Sequence, residues 1–180
     1  MLRKAAMAVL LATAGVAAIT LALRTLPARA DSSQIERGKY LVGIAGCNDC
    51  HTPGYFFGKP DMARFLAGSD VGFEIPGLGV FVGRNLTPDK ETGIGTWTSD
   101  QIVTALQTGK RPDGRELAPI MPYHAFATLT KEDVTSIAAF LQSLPAVSNK
   151  IPDPVGPGGT VTTFMFRILP PGQTAAAAPQ

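Results

Sequence analysis

Three kinds of patterning divide this chain, and each predicts a different kind of element. Helical spacing occurs three times. Ser33-Gln34-Ile35-Glu36 has the spacing of a capping box, and Ile35, Tyr40 and Leu41 follow, so a first helix opens near Ser33 and runs towards Cys47. Gly38 and Gly43 interrupt it at about 1 kcal/mol each relative to alanine, a cost that close approach of another helix explains. Thr98-Ser99-Asp100-Gln101 opens a second helix, with Ile102, Val103, Ala105 and Leu106 inward and Gly109 as its stop. Thr130-Lys131-Glu132-Asp133 opens a third, with Val134, Ile137, Ala138 and Leu141 inward and Pro145 ending it. Tyr40 is expected to pack between the first and last helices near Phe140.

The second kind is irregular. Residues 52–96 are rich in glycine and proline and lack a helical period. Within them, residues 71–75 and 80–82 alternate weakly around Pro76-Gly77-Leu78-Gly79, as a short hairpin would. Asn85 is read as a turn residue. So long an irregular stretch is unusual in a small domain unless it wraps something. Beyond Ala146 proline and glycine dominate again, leading through residues 161–169 to an alanine-rich end. Residues 161–169 either pack back on the domain or dock to a partner. The fold class expected from these patterns is all-α, with a long irregular loop and an extended C-terminal tail.

The third kind lies at the N-terminus, where Arg3 and Lys4 precede an uncharged apolar run over residues 5–23 and then Ala28-Arg29-Ala30. This is the build of a secretory signal peptide cleaved before Asp31. The alternative is a membrane anchor, since 19 helical residues reach about 28 Å, close to the roughly 30 Å of a hydrocarbon core. The division that follows is a signal peptide at 1–30, a domain at 31–147 and a tail at 148–180. Loss of the leader alters the charge: its four cations leave 12 basic against 14 acidic residues, so the formal +2 describes the uncleaved chain. No basic run remains that would suit nucleic acid.

The chemistry begins at Cys47-Asn48-Asp49-Cys50-His51, a C-x-x-C-H run that is the attachment signature of a c-type haem. Two thiols three residues apart meet the two vinyl groups of one porphyrin, and the adjacent imidazole of His51 becomes the iron's proximal ligand. A redox C-x-x-C would need a βαβ frame, which the patterning does not offer. A zinc site lacks donors, because His124 is the chain's other histidine. Attachment of haem c occurs outside the bacterial cytoplasm, in agreement with an export signal.

The sixth iron ligand decides between an electron carrier and an enzyme or gas sensor with an open distal site. Met62, Met121, Met165 and His124 are the candidates. Met121 is favoured because Pro119 and Pro122 stiffen the backbone on both sides of it, 70 residues after His51. Met62 and Met165 default to packing, and His124 to the surface. Arg84 and Trp97 are candidate donors to haem propionates, with a solvated cation and a packed aromatic as the alternatives.

Taken together, Cys47 to His51, Asn85-Leu86-Thr87-Pro88-Asp89, Thr92-Gly93-Ile94-Gly95-Thr96-Trp97, Arg111-Pro112-Asp113-Gly114, Met121-Pro122-Tyr123 and the run from Leu129 to Pro145 resemble the cytochrome c subunits of bacterial periplasmic dehydrogenases. The resemblance covers about residues 34 to 147. It implies a cytochrome c fold of helices around one covalently bound haem, His51 and Met121 as axial ligands, and electron transfer rather than catalysis by this chain. It also implies a periplasmic dehydrogenase as electron donor and a cytochrome or terminal oxidase of the respiratory chain as acceptor. Many such subunits carry three haem domains, whereas this chain has one C-x-x-C-H.

Overall fold

The structure, a computed structural model, describes residues 30–172. Residues 1–29, on which the expectation of an export signal or anchor falls, and residues 173–180 lie outside the described part. Among the described residues no helix is long and apolar enough to cross a membrane.

Five helices are described: α1 (Ser32–Ile44), α2 (Cys47–His51), α3 (Ser99–Thr108), α4 (Tyr123–Phe126) and α5 (Lys131–Ser143). Single 3-10 turns occupy Tyr55–Phe57 and Met62–Arg64. Three of the helices start where a side-chain oxygen can meet an orphan amide. Thr98 and Gln101 close a capping box at α3, and Thr130 accepts from the Asp133 amide at α5. At α1 the cap is Asp31, which accepts from Gln34 N–H at 2.7 Å, so the helix begins one residue before the Ser33 signal. Ser33 instead donates its hydroxyl to Asp31. Gly109, at φ 74°, ends α3 as expected.

The apolar faces of α1, α3 and α5 meet in one core of Leu41, Val42, Ile102, Leu106, Val134, Ile137, Phe140 and Leu141, closed by Leu66 and Ile94 from the long loop. Gly38 lets α1 and α5 touch: a Cβ there would fall 1.9 Å from the Ser136 carbonyl oxygen. Gly43 has no such neighbour, so close packing accounts for only one of the two glycines. Tyr40 is 56% exposed, with the Arg37 guanidinium over its ring, and does not pack between helices.

The all-α expectation is incorrect. A three-stranded mixed sheet of order β2-β1-β3 accompanies the helices, formed by β1 (Val71–Ile75), β2 (Gly79–Val82) and β3 (Phe164–Phe166). β1 and β2 form the antiparallel hairpin, pairing Gly72 with Val82 and Ile75 with Gly79 across a turn where Gly77 adopts φ 78°. β3 then adds in parallel, with Val71 opposite Phe164. Sheet formation wins because Val71, Phe73 and Ile75 in β1 and Val80 to Val82 in β2 are β-branched or aromatic, and because Phe166 packs its ring against Phe56 and Phe73. Residues 161–169 thus return to the domain.

The irregular stretch is held by polar side chains. Asn85, 2% exposed, accepts from the Thr87 amide and hydroxyl and donates to Thr92 Oγ1 and to the Val147 carbonyl. Asn149 N–H donates to Thr92 Oγ1, and its side-chain amide donates to the Ala67 carbonyl at 2.9 Å. The turn role assigned to Asn85 is therefore half of its work; the other half ties the loop to the chain after α5.

Candidate functional site

Gly46, at φ 67°, breaks the chain sharply after α1 and starts the five-residue helix α2. Cys47 and Cys50 are i and i+3 on that helix and lie on one face of it. Both are free and partly buried. Burial pushes the Cys47 thiol up to about 11 and raises Cys50 as well. Both sulfurs are thus thiols near neutral pH, unlike the depressed thiolates of a redox C-x-x-C.

His51 ends the helix at 8% exposure. Its Nδ1 lies 2.7 Å from the Arg84 carbonyl oxygen. A carbonyl only accepts, so Nδ1 carries the proton and Nε2 keeps its lone pair. Burial lowers the imidazole's pKa, which keeps the ring neutral and Nε2 basic. A neutral imidazole oriented through its other nitrogen is what an iron ligand requires. Two thiols on one helical face beside such a nitrogen fit the three bonds that a c-type haem makes to this motif.

The loops reinforce this placement. The His51 carbonyl accepts from Gly68 N–H at 2.8 Å. A Cβ on Gly83 would stand 1.7 Å from the Cys50 carbonyl oxygen, so glycine alone lets the segment bearing Arg84 approach α2. The Arg84 side chain, a candidate propionate donor or solvated cation, donates to the carbonyls of Pro152 at 2.7 Å and Ile151 at 3.3 Å. Its contribution at His51 comes from the backbone, which no side-chain identity announces. Gly83 was the available signal for that approach.

Met121 is half-buried and packs against the helical core, as do Cys47, Leu86, Trp97 and Phe126. Its N–H donates to the Ala118 carbonyl and its own carbonyl accepts from Tyr123 N–H, both at 2.8 Å. The structure thus places Cys47 and Met121 on one apolar core. It does not do so for Met62, which is 62% exposed, or for Met165, exposed on β3. His124 is exposed beside Tyr123. Trp97 lies under the Arg111 guanidinium at 5.9 Å. Burial lowers the pKa of Arg111, a partly buried cation that the sequence reading passed over despite its place in Arg111-Pro112-Asp113-Gly114.

Thiol pair, oriented imidazole and helical core are the parts of a c-type cytochrome domain. No protein-family model matches the chain. Among relatives, it is 42% identical over 118 residues to the fructose dehydrogenase cytochrome subunit of Gluconobacter japonicus, covering 65% of this chain and 22% of that one. It is 38% identical over 128 residues to the cytochrome c subunit of the quinone alcohol dehydrogenase of Gluconobacter oxydans, covering 69% and 25%. A diheme cytochrome c-type protein of Cereibacter sphaeroides is 31% identical over 114 residues, covering 63% and 37%. Over the matched stretch the chain is similar to proteins named as cytochrome c subunits of bacterial dehydrogenases. The chain spans about a quarter of the length of the first two relatives.

Proposed function

We propose that this chain is a periplasmic cytochrome with one haem c, which carries electrons from a dehydrogenase towards the respiratory chain and is not itself the catalyst. The observation that carries the proposal is His51, buried, neutral and fixed through Nδ1 so that Nε2 is available to iron. Cys47 and Cys50 would hold the porphyrin through two thioether bonds, each thiol supplying its sulfur to one carbon of a vinyl group and its hydrogen to the other, with no net oxidation. Met121, on its proline-flanked loop, would be the second protein ligand to the iron beside His51. The bound group supplies an iron that exchanges one electron between ferric and ferrous states.

The residues of the chain set what that iron can do. Ligation by the Met121 thioether and the His51 imidazole would raise the potential relative to two imidazoles, which suits onward transfer. Export follows from the leader pattern of residues 1–30 and from the site of haem c attachment. A dehydrogenase donor is supported by the names of the relatives, and a cytochrome or terminal oxidase is the acceptor.

The pyridine haemochrome spectrum of the purified protein tests attachment, with one haem per chain expected. Met121→Ala should then admit carbon monoxide to the ferrous iron and lower the potential, within the roughly 0.8 V that axial ligands span. Met62→Ala and Met165→Ala should change neither. Exposure of the iron by His124→Ala instead would assign a second histidine, and rapid carbon monoxide binding by the unmodified protein would replace the carrier by an open-site enzyme or sensor.

A further inference from the structure

The chain that follows α5 touches every loop that holds His51. The Val147 carbonyl accepts from Asn85 Nδ2 at 2.8 Å, and its N–H donates to Thr87 Oγ1 at 3.1 Å. Asn149 reaches the Ala67 carbonyl, next to the Gly68 amide that donates to the His51 carbonyl. Ile151 is buried where a Cβ on Gly68 would meet its Cδ1 at 2.4 Å. The carbonyls of Ile151 and Pro152 take the Arg84 guanidinium, with Asp153 at 3.5 Å from it. Arg84 is the residue whose own carbonyl accepts the His51 Nδ1 proton.

We propose that residues 147–153 are a strap that positions His51, and that Arg84 is the positioning residue coupling the strap to the imidazole. The proposal rests on the reading of His51 as the haem's proximal ligand. A guanidinium presents N–H donors in a rigid fork, so its bonds to two successive carbonyls fix the side chain, and with it the backbone that bears the acceptor. Gly83 against Cys50 and the Asn85 web already place that backbone near the ring. The strap therefore governs how rigidly the Nδ1 bond is held, not whether the chain folds. That bond sets ring orientation and ligand basicity.

The test is the exchange rate of the His51 Nδ1 proton, followed by NMR in the ferrous, nitrogen-15-labelled holoprotein. Arg84→Gln, which shortens the reach and removes the fork, should speed exchange about tenfold, the equivalent of one lost hydrogen bond. Arg84→Lys, which keeps the charge and can reach one of the two carbonyls, should recover part of that. Asn149→Ala, which leaves the Arg84 bonds in place and removes the bond to the Ala67 carbonyl, should speed exchange by a smaller factor, and all three should keep a low-spin spectrum. If Arg84→Gln does not mature, Arg84→Lys and Asn149→Ala decide. Exchange within about twofold of the unmodified protein in each variant that matures reduces the strap to packing and overturns the inference alone. A wild-type chain that carries no thioether-bound haem overturns it together with the proposed function.

Discussion

The helical half and the loop–sheet half of this domain are held together by different physics. In the helical half, α1, α3 and α5 contribute nearly all of the apolar core, and one glycine sets their closest approach. In the loop–sheet half the most buried positions include Thr52, Ser69, Asn85 and Thr87, each satisfied by a specific hydrogen bond. Apolar packing is non-directional and tolerates adjustment. A buried polar web is directional, and one missing partner leaves others unpaired. His51 sits on the seam, its backbone in α2 and its ring hydrogen-bonded into the loops. Labour is divided: the helices supply an apolar frame, and the loops fix the orientation of one nitrogen.

The largest effect is expected at the seam. His51→Ala removes the residue that both halves address, and it should abolish the normal low-spin holoprotein while leaving Cys47 and Cys50 free to react. Full-intensity, covalently bound low-spin haem in that variant, seen by visible spectroscopy, would break the assignment of the seam. Within the helical half, Gly38→Ala forces a Cβ towards the Ser136 carbonyl, far inside any tolerable contact. The overpacking should cost about 3 kcal/mol, outweighing the roughly 1 kcal/mol that alanine gains in a helix interior. Urea unfolding checks it, and an unchanged midpoint would mean that α1 and α5 are free to separate.

Asn85→Ala probes the other half. It removes two donors and one acceptor from a buried web that reaches Thr87, Thr92 and Val147. The expected loss is about 2 kcal/mol, less than at Gly38 because water can replace part of the web. The pattern of local opening sharpens the contrast. Amide exchange should rise first at Thr87 and Val147 in Asn85→Ala, but across α1 and α5 in Gly38→Ala. Uniform acceleration in both variants would erase the distinction between the halves.

The two halves also differ in how far they can be read from the sequence. Helices α3 and α5 were legible because period and caps agree within a dozen residues, as at Thr98 with Gln101. At α1 two capping residues, Asp31 and Ser33, stand two positions apart, and Asp31, with the stronger acceptor, takes the position. The web around Asn85 was not legible as a web, since its partner Val147 lies 62 residues away. β3 is three residues long, too short for a period of two to show, and it forms because its aromatic side chains find Phe56, Phe57 and Phe73. At the candidate site, Cys47, Cys50, His51 and Met121 are all legible in the sequence as candidates. The Arg84 carbonyl is not, because every residue has one.

Acid should separate the halves by the smallest margin. In the loops, Asp89 Oδ1 accepts from the Thr92 amide at 2.7 Å, the Thr92 hydroxyl at 2.8 Å and the Glu91 amide at 3.2 Å. The Thr92 amide and then its hydroxyl hold this carboxyl below its usual range, against a smaller opposing effect of burial. Between the helices, Arg37 donates to Asp133 at 2.8 Å and lowers its pKa likewise. For each, the folded state binds its proton less readily than the unfolded state. The stabilisation is therefore complete above the unfolded carboxylate value of about 3.9 and is lost as pH falls through the lower folded value. Asp89→Asn should flatten this acid limb at the Thr92 and Ile94 amides, and Asp133→Asn should flatten it across α1 and α5, as read by amide exchange between pH 5 and about 2.5. The Thr92 hydroxyl also accepts from Asn85 and from Asn149 N–H, so protonation of Asp89 is felt along the strap, whereas Asp133 has one exposed cation as its long-range partner. Equal acid sensitivity of the Thr92 amide in Asp89→Asn and the unmodified protein would show that the web does not depend on this carboxylate.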